Sequence, residues 1–270
     1  MKPTPGDELS RLEAAVLESG KYRRIAPELV RRVAAQELAK GRPFNEAVKA
    51  VRSKLHQVGA AYQEAGFDFV RASAELAQLP PGDSPELRAF SQRWMQQHAS
   101  TRERLPILAR FYNEVLAPLG PIHSLMDLAC GLNPLALPWL PMAPGAHVLA
   151  CDIYLDLVDF LNGFFTRLGV DGRVEICDLT QTSPTQPVQL AMLLKTLPCL
   201  EQVDKTASAR LLADLPAEHI LISYPVRSLS GHAKGMLDTY EAHFARLTAG
   251  QPWQIRRFEF SSELAFLISR

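Results

Sequence analysis

Apolar residues recur at spacings of three and four through Phe44, Val48, Val51, Leu55 and Val58, which is one buried stripe of a helix. Lys49, Arg52 and His56 share a second stripe of that helix. Just before it, Ile25, Leu29 and Val33 form an apolar line. Pro27 suits the first turn there, where a missing N–H costs nothing. The first hundred residues read as helical and without repeats. Leu79-Pro80-Pro81-Gly82-Asp83-Ser84-Pro85 gathers turn formers and is the clearest break. It sets the expected boundary between a helical unit, 1–82, and a second unit, 83–270. Helical stretches follow through His98 and from about 102 to 116. After Gly120 the texture changes to short apolar runs at 124–130, 147–153, 174–179, 190–196, 219–224, 255–260 and 264–269. Most are separated by enough chain for a helix, which predicts a mostly parallel sheet covered on both faces. The last two are joined only by Ser261, Ser262 and Glu263, too short for a parallel crossover, so they should pair antiparallel.

Six or seven strands ending in a hairpin is the architecture of a Rossmann-like class I methyltransferase, so the expected fold is α/β with an all-helical N-terminal unit. At this level the likeness is one of fold, not of function. Composition permits a real core: of 270 residues, 47% are hydrophobic and 21% charged. Lys plus Arg and Asp plus Glu are 29 each, which argues against a uniformly basic coat. The balance hides an asymmetry. Residues 1–105 hold 17 basic and 13 acidic side chains, and 20–54 hold 10 against 3. Lys21, Arg23, Arg24, Arg31, Arg32, Lys49, Arg52 and Lys54 make this either a solvated helical surface or a phosphate-contacting face. Cys130, Cys151, Cys177 and Cys199 form no CxxC pair and read as reduced structural thiols. The polar start of the chain is unlike a signal peptide, and no apolar run approaches the roughly 18 residues of a membrane span. A cytoplasmic protein is expected, with no metal.

Asp127-Leu128-Ala129-Cys130-Gly131-Leu132-Asn133-Pro134 ends the first strand and enters a turn. Gly131 lets the backbone turn tightly or approach a ligand. Asn133 and Pro134 look like an N-cap and first helical position, which would aim helix N–H groups at the crevice. Taken alone, this is also an ordinary strand-to-helix turn. Asp152 closes the next strand, 21 residues after Gly131, and Asp178 closes the one after that. Ligands of open α/β sheets bind outside the carboxyl ends of strands. An acid at the second strand end suits a ribose diol, and one at the third can accept from an adenine amino group. No glycine follows Gly131 until Gly145, and there is no GxxxxGK[ST] loop, so a pyrophosphate is poorly served. A nucleoside ligand without phosphate, such as S-adenosylmethionine, fits better.

Longer blocks carry a specific likeness. They are Lys21-Tyr22-Arg23 with Val30-Arg31-Arg32, Leu55-His56 with Gly59-Ala60-Ala61-Tyr62, and the stretches 98–105 and 127–137. Cys151-Asp152-Ile153, Leu194-Lys195, Leu197-Pro198, Leu200-Glu201, Ser223-Tyr224-Pro225, Arg227-Ser228-Leu229, Lys234-Gly235-Met236 and Tyr240 follow. With these the chain resembles the aminoglycoside-resistance 16S ribosomal RNA methyltransferases that modify guanine 1405 at N7. The resemblance implies that Arg104 pairs with the methionine carboxylate of S-adenosylmethionine, with Tyr62, His98, Ala99 and Ser100 at the same end. It implies close backbone approach at Ala129 and Gly131, a ribose acceptor in Asp152, an adenine edge at Asp178 and Leu179, and Leu194 on the adenine face. Lys195, Glu201, Arg227 and Ser228 match positions around the target base. The basic helices would then grip 16S rRNA in the assembled 30S subunit, with the enzyme acting as a monomer.

The segment Gly231-His232-Ala233-Lys234-Gly235-Met236-Leu237-Asp238 departs from the family pattern. Better-known members carry a second glycine where Ser230 stands and an acid where Leu237 stands. Guanine N7 offers an unprotonated lone pair, so none of these residues is expected to act as a general base. Two other readings use the same residues differently. A small-molecule N- or O-methyltransferase would need the cofactor residues but not the basic helices. A ribosome-assembly RNA-binding protein would need the helices but not Arg104, Asp152 and Asp178.

Overall fold

The computed structural model describes residues 5–57, 67–226 and 235–270. Pro27 opens α2 at its first turn, as the sequence predicts, and the stripe from Phe44 to Leu55 becomes α3. In chain order the helices are α1 (Pro5–Leu17), α2 (Pro27–Leu38), α3 (Phe44–Leu55), α4 (Phe69–Ala77), α5 (Pro85–Met95), α6 (Ala99–Arg104) and α7 (Leu108–Leu116). They continue with α8 (Leu155–Leu168), α9 (Leu197–Leu200), α10 (Ala207–Asp214) and α11 (Met236–Thr248). Asp68 caps α4 by accepting from the Arg71 N–H at 2.9 Å, and Ser84 caps α5 by accepting from the Leu87 N–H at 3.1 Å. The stretch expected to be one helix to Leu116 is broken by a 3-10 turn at Leu105–Ile107, because Pro106 cannot continue the α-helical hydrogen bonds.

All seven apolar runs form strands. They are β1 (Ile122–Leu128), β2 (Met142–Asp152), β3 (Asp171–Ile176), β4 (Val188–Leu194), β5 (Ala217–Pro225), β6 (Gln254–Glu259) and β7 (Glu263–Ser269). Their order in the single sheet is β3-β2-β1-β4-β5-β7-β6. The pairs among β1 to β5 are parallel, while β7 runs antiparallel to both β5 and β6. This is the sheet that the strand spacing and the short final link predict.

Alternate strand residues feed two cores, as a period of two requires. Leu125, Val148, Leu190, Leu221 and Leu267 pack with the helices α1 to α5, α7 and α8. Met126, Leu149, Ala191, Ile220 and Phe266 pack with α9, α10 and α11. Leu12, Leu29 and Val51, from the expected helical unit 1–82, lie in the first of these clusters. The apolar side chains of the helices ahead of residue 82 are thus continuous with the core on that face of the sheet. Backbone hydrogen bonds reinforce this at the carboxyl end of β2. The Ala26 N–H donates to the Ile153 carbonyl at 2.8 Å and the Leu155 N–H to the Arg24 carbonyl at 2.8 Å, so the start of α2 is stitched to the segment that follows β2.

Candidate active site

The strand order reverses between β1 and β4, and a cleft partly open to solvent lies outside the carboxyl ends of these strands. Asp152 closes β2 at its wall. The carboxylate accepts from the Gly131 N–H at 2.8 Å on one oxygen and from the Ile153 N–H at 2.7 Å on the other. With these backbone donors in place the carboxylate still has acceptor capacity left for a ribose hydroxyl. Burial pushes the Asp152 carboxyl up, and the backbone N–H donors oppose that. Gly131 has φ +51°, and a Cβ there would come within 2.8 Å of the His98 ring. The turn needs glycine for both reasons. Ala129 and Lys195, which follow β1 and β4 at the same rim, also carry positive φ, 49° and 59°. Backbone strain of this kind concentrates at ligand sites.

At the β1 end, a buried polar cluster backs the cleft. Asn133 donates to Asp127 at 2.8 Å and accepts from Arg104 at 2.6 Å and from the Tyr112 hydroxyl at 2.7 Å. Arg104 gives two more nitrogens to Glu263, at 3.0 and 2.6 Å, and both side chains are fully buried. Lys195, itself buried, donates to Glu103 at 2.6 Å and to the Ser100 carbonyl at 3.3 Å, with Glu263 3.7 Å away. Burial would raise Glu263, but Arg104 and Lys195 outweigh it and hold the carboxyl below its usual range. Asp127 has no such cation in direct contact, and burial pushes it up to about 7.

Of the residues expected at the cofactor, His98, Ser100, Ala129, Gly131, Asp152, Asp178, Leu179 and Leu194 line the cleft, together with Lys195 from the target-base set. Ala99 is buried beside Ser100. Tyr62, Arg227 and Ser228, with Val58 and residues 59–61, lie outside the described residues, as does the segment 227–234. One expectation needs correction, and two residues have partners that the sequence does not show. Asn133 is not an N-cap: Leu132 precedes a 3-10 helix at Asn133–Trp139, kept short by Pro134 and Pro138, and the Asn133 side chain turns inward to Asp127 and Arg104. Arg104 is fully buried and does not line the cleft, its guanidinium engaged by Glu263 and Asn133; His98, Asn133 and Lys195 are nitrogen-bearing side chains on the wall at that end. Glu201 is held by His243 at 2.8 Å, and His243 in turn by the Tyr224 hydroxyl at 3.1 Å.

The basic surface also divides. Arg32 reaches Asp178 at 2.7 Å and is no surface residue, for burial of its stem on α2 aims its guanidinium at the cleft rim. Arg52 donates to the Ala15 carbonyl at 2.6 Å, and Lys54 joins Lys40 and Arg42 around the buried carboxylate of Glu37. Arg24 is half-exposed beside Asp156 and Asp159. Lys21, Arg23, Arg31 and Lys49 remain exposed, Lys21 beside His56 and Arg31 beside Glu13. Among the described residues, no helix is long and apolar enough to cross a membrane, and no cluster of His, Cys, Asp or Glu is arranged to hold a metal ion. The four cysteines are free.

The model of the ribosomal RNA methyltransferase (FmrO) family matches residues 18–267. The chain belongs to that family. Among its relatives, a 16S rRNA (guanine(1405)-N(7))-methyltransferase of Micromonospora echinospora is 34% identical, with 98% of each chain covered. One of the same description from Frankia casuarinae is 35% identical over 97% of this chain and 94% of its own. A crystal structure of the 16S rRNA methyltransferase RmtF in complex with S-adenosyl-L-homocysteine superposes with a TM-score of 0.83, at 34% identity and with 98% of each chain covered. The family match spans the helices, the cleft and the terminal hairpin alike.

Two groups at this family site titrate in opposite senses. Burial, aided by the charges of Lys195, Arg104 and Arg102, pushes His98 down to about 4. The unfolded imidazole takes up a proton near 6.5, so stability from this residue is full above that pH and is lost toward pH 4, by roughly 3 kcal/mol. Asp127 acts the other way: the unfolded carboxyl ionises near 4 and the folded one near 7, so its contribution falls across the same window. Urea unfolding from pH 4 to 7 should therefore show a steeper loss of stability with rising pH in His98→Gln than in the native chain. In Asp127→Asn, stability should rise more steeply with pH. Slopes unaltered in both variants would sink the assignment.

Proposed function

We propose that this chain transfers the methyl group of S-adenosylmethionine to N7 of guanine 1405 in 16S rRNA, acting as a monomer on the assembled 30S subunit. The likeness to a guanine(1405)-N(7)-methyltransferase over 98% of both chains carries this reading, because it takes in the basic helices as well as the cleft. The donor set suits the cofactor. Asp152 would hold the ribose, Asp178 and Leu179 the adenine edge, and Leu194 the adenine face. His98, Ala99 and Ser100 would flank the methionine end, with the charge of Arg104 behind Asn133. Bound S-adenosylmethionine supplies an electrophilic methyl on a sulfonium.

The protein's part in the reaction is positional. N7 attacks with its own lone pair and needs no proton removed, and the cleft is built accordingly. His98 is buried among positive charges, and Lys195 is engaged by Glu103. Neither has a proton to take from the nucleophile. Alignment of nitrogen, methyl carbon and sulfur, with water kept out, is the available source of rate. The base must leave its stack to reach the cleft. Exposed Lys21, Arg23, Arg31 and Lys49 would hold the folded RNA through phosphates, by shape and not by sequence. Residues 1–82 would supply the RNA grip and 83–270 most of the reaction cleft, with Leu29 and Arg32 of α2 reaching the cleft wall, and the modified base, bearing a new positive charge at a drug-contacting edge, would give aminoglycoside resistance in the cytoplasm. Incubation with methyl-labelled cofactor tests this. Label should enter 16S rRNA in 30S particles; label in small amines or alcohols alone would favour a small-molecule methyltransferase, and no transfer an assembly protein.

A further inference from the structure

Arg32 belongs to the run of cations on α2 that charge patterning gives to RNA, but its surroundings are those of the cofactor cleft. Its Nε and Nη2 donate to one oxygen of Asp178 at 3.2 and 2.7 Å, and Nη2 also donates to the Thr180 hydroxyl at 2.5 Å. The other Asp178 oxygen accepts from the Thr180 N–H at 3.0 Å and from the Thr180 hydroxyl at 2.6 Å. Arg32 and Asp178 are each only 17% exposed in their side chains. Leu29, one turn earlier on α2, lines the same cleft as Asp178, Leu179 and Thr180. The Arg32 Nη1 is buried and has no protein acceptor among the described residues.

We propose that Arg32 is a positioning residue of the cofactor site, fixing Asp178 as the acceptor for the adenine amino group and making α2 one wall of the cleft. This rests on the reading of the cleft as an S-adenosylmethionine site. A free carboxylate at the end of a strand can rotate among several orientations, and adenine binding would have to arrest it. The forked guanidinium arrests it beforehand, which lowers the ordering cost of binding. All four acceptor positions of Asp178 are engaged, two by Arg32 and two by Thr180. The Thr180 hydroxyl is the adjustable member. It can turn its hydrogen away and still accept from Arg32, which opens one position on Asp178 for an incoming amino group. Arg32 itself need not move.

A direct consequence is discrimination at the 6-position of the purine. S-adenosylhomocysteine offers Asp178 an amino donor, whereas S-inosylhomocysteine offers a carbonyl that meets the carboxylate as a second acceptor. Calorimetry with both probes on the native chain, Arg32→Ala, Arg32→Lys and Arg31→Ala tests the proposal. The native chain should prefer the adenosyl ligand by tenfold or more. Arg32→Ala should bind S-adenosylhomocysteine at least tenfold more weakly and lose most of that preference. Arg32→Lys should recover part of both, since lysine supplies the charge but not the fork. Arg31→Ala, one residue away, should bind both ligands as the native chain does. In an Asp178→Asn background, Arg32→Ala should add little. If Arg32→Ala does not fold, the lysine variant and the Asp178→Asn chain carry the comparison. Unchanged affinity and preference in the Arg32 variants, with the native chain binding normally, would overturn the proposal alone. A native chain that binds neither ligand would overturn the cofactor reading beneath it.

Discussion

Replacing Glu263 with alanine is expected to lower the unfolding free energy by about 3–5 kcal/mol, the cost of leaving a buried charge without its partner. The charge is Arg104, fully buried, with two nitrogens on Glu263 and a third on Asn133. Glu263 opens β7 beside the end of β5, so the pair ties α6 to the antiparallel hairpin across the sheet. Exchanging both partners, Arg104→Met with Glu263→Leu, should cost less than Glu263→Ala alone, because no charge is then stranded. Glu263 is held below the usual carboxyl range, so its contribution is present above the unfolded pKa. It is lost as the pH falls through the folded value. Urea denaturation at pH 7 of the three chains checks the ordering. A loss below about 1 kcal/mol in Glu263→Ala would mean that Arg104 finds another partner or water, and the cluster would not be the brace described.

Reversing charge at Arg23, Arg31 and Lys49 together is expected to abolish methylation of 30S subunits while leaving S-adenosylhomocysteine affinity intact. These are exposed cations, and none reaches the cleft. Each lost phosphate contact should also flatten the salt dependence of 30S binding by roughly one unit of log–log slope, on the scale known for duplex DNA. The set differs from the one that charge alone suggests, because Arg32, Arg52 and Lys54 are spent within the protein. Filter binding across a salt series reads both quantities. Undiminished 30S binding in the triple variant would make these residues solvated surface.

The contrast between Arg31 and Arg32 shows what the sequence could and could not convey. Strands and helices were legible because their signals are local: an apolar run, a three-residue link, a proline at a first turn. Asp152 and Gly131 were legible because strand ends and the turn between them follow from the same runs. The partners of Arg32 and Arg104 were not. Asp178 lies 146 residues from Arg32, and Glu263 lies 159 from Arg104. No spacing rule reaches so far, so both arginines carried only the meaning of their neighbours. Family likeness supplied Arg104 as a carboxylate ligand and was silent on Glu263, which looks in sequence like a turn acid after Ser261 and Ser262. Asp127 and Asn133 sat inside a recognised motif, yet their pairing needed the fold to bring Tyr112 and Arg104 against them.

The central claim concerns which atom receives the methyl group, and strand scission tests it most directly. Methylated 30S subunits would be stripped to 16S rRNA, reduced with borohydride and treated with aniline, which cleaves the chain where guanine carries a methyl at N7. One new scission at nucleotide 1405, with 7-methylguanosine in the nucleoside digest, is the expected result. Single-turnover rates between pH 6 and 9 should then show no titration of a catalytic base, once particle integrity is controlled. Methyl found at adenine N1 or on an exocyclic amine, with no scission at 1405, would contradict both the lone-pair mechanism and the proposed target.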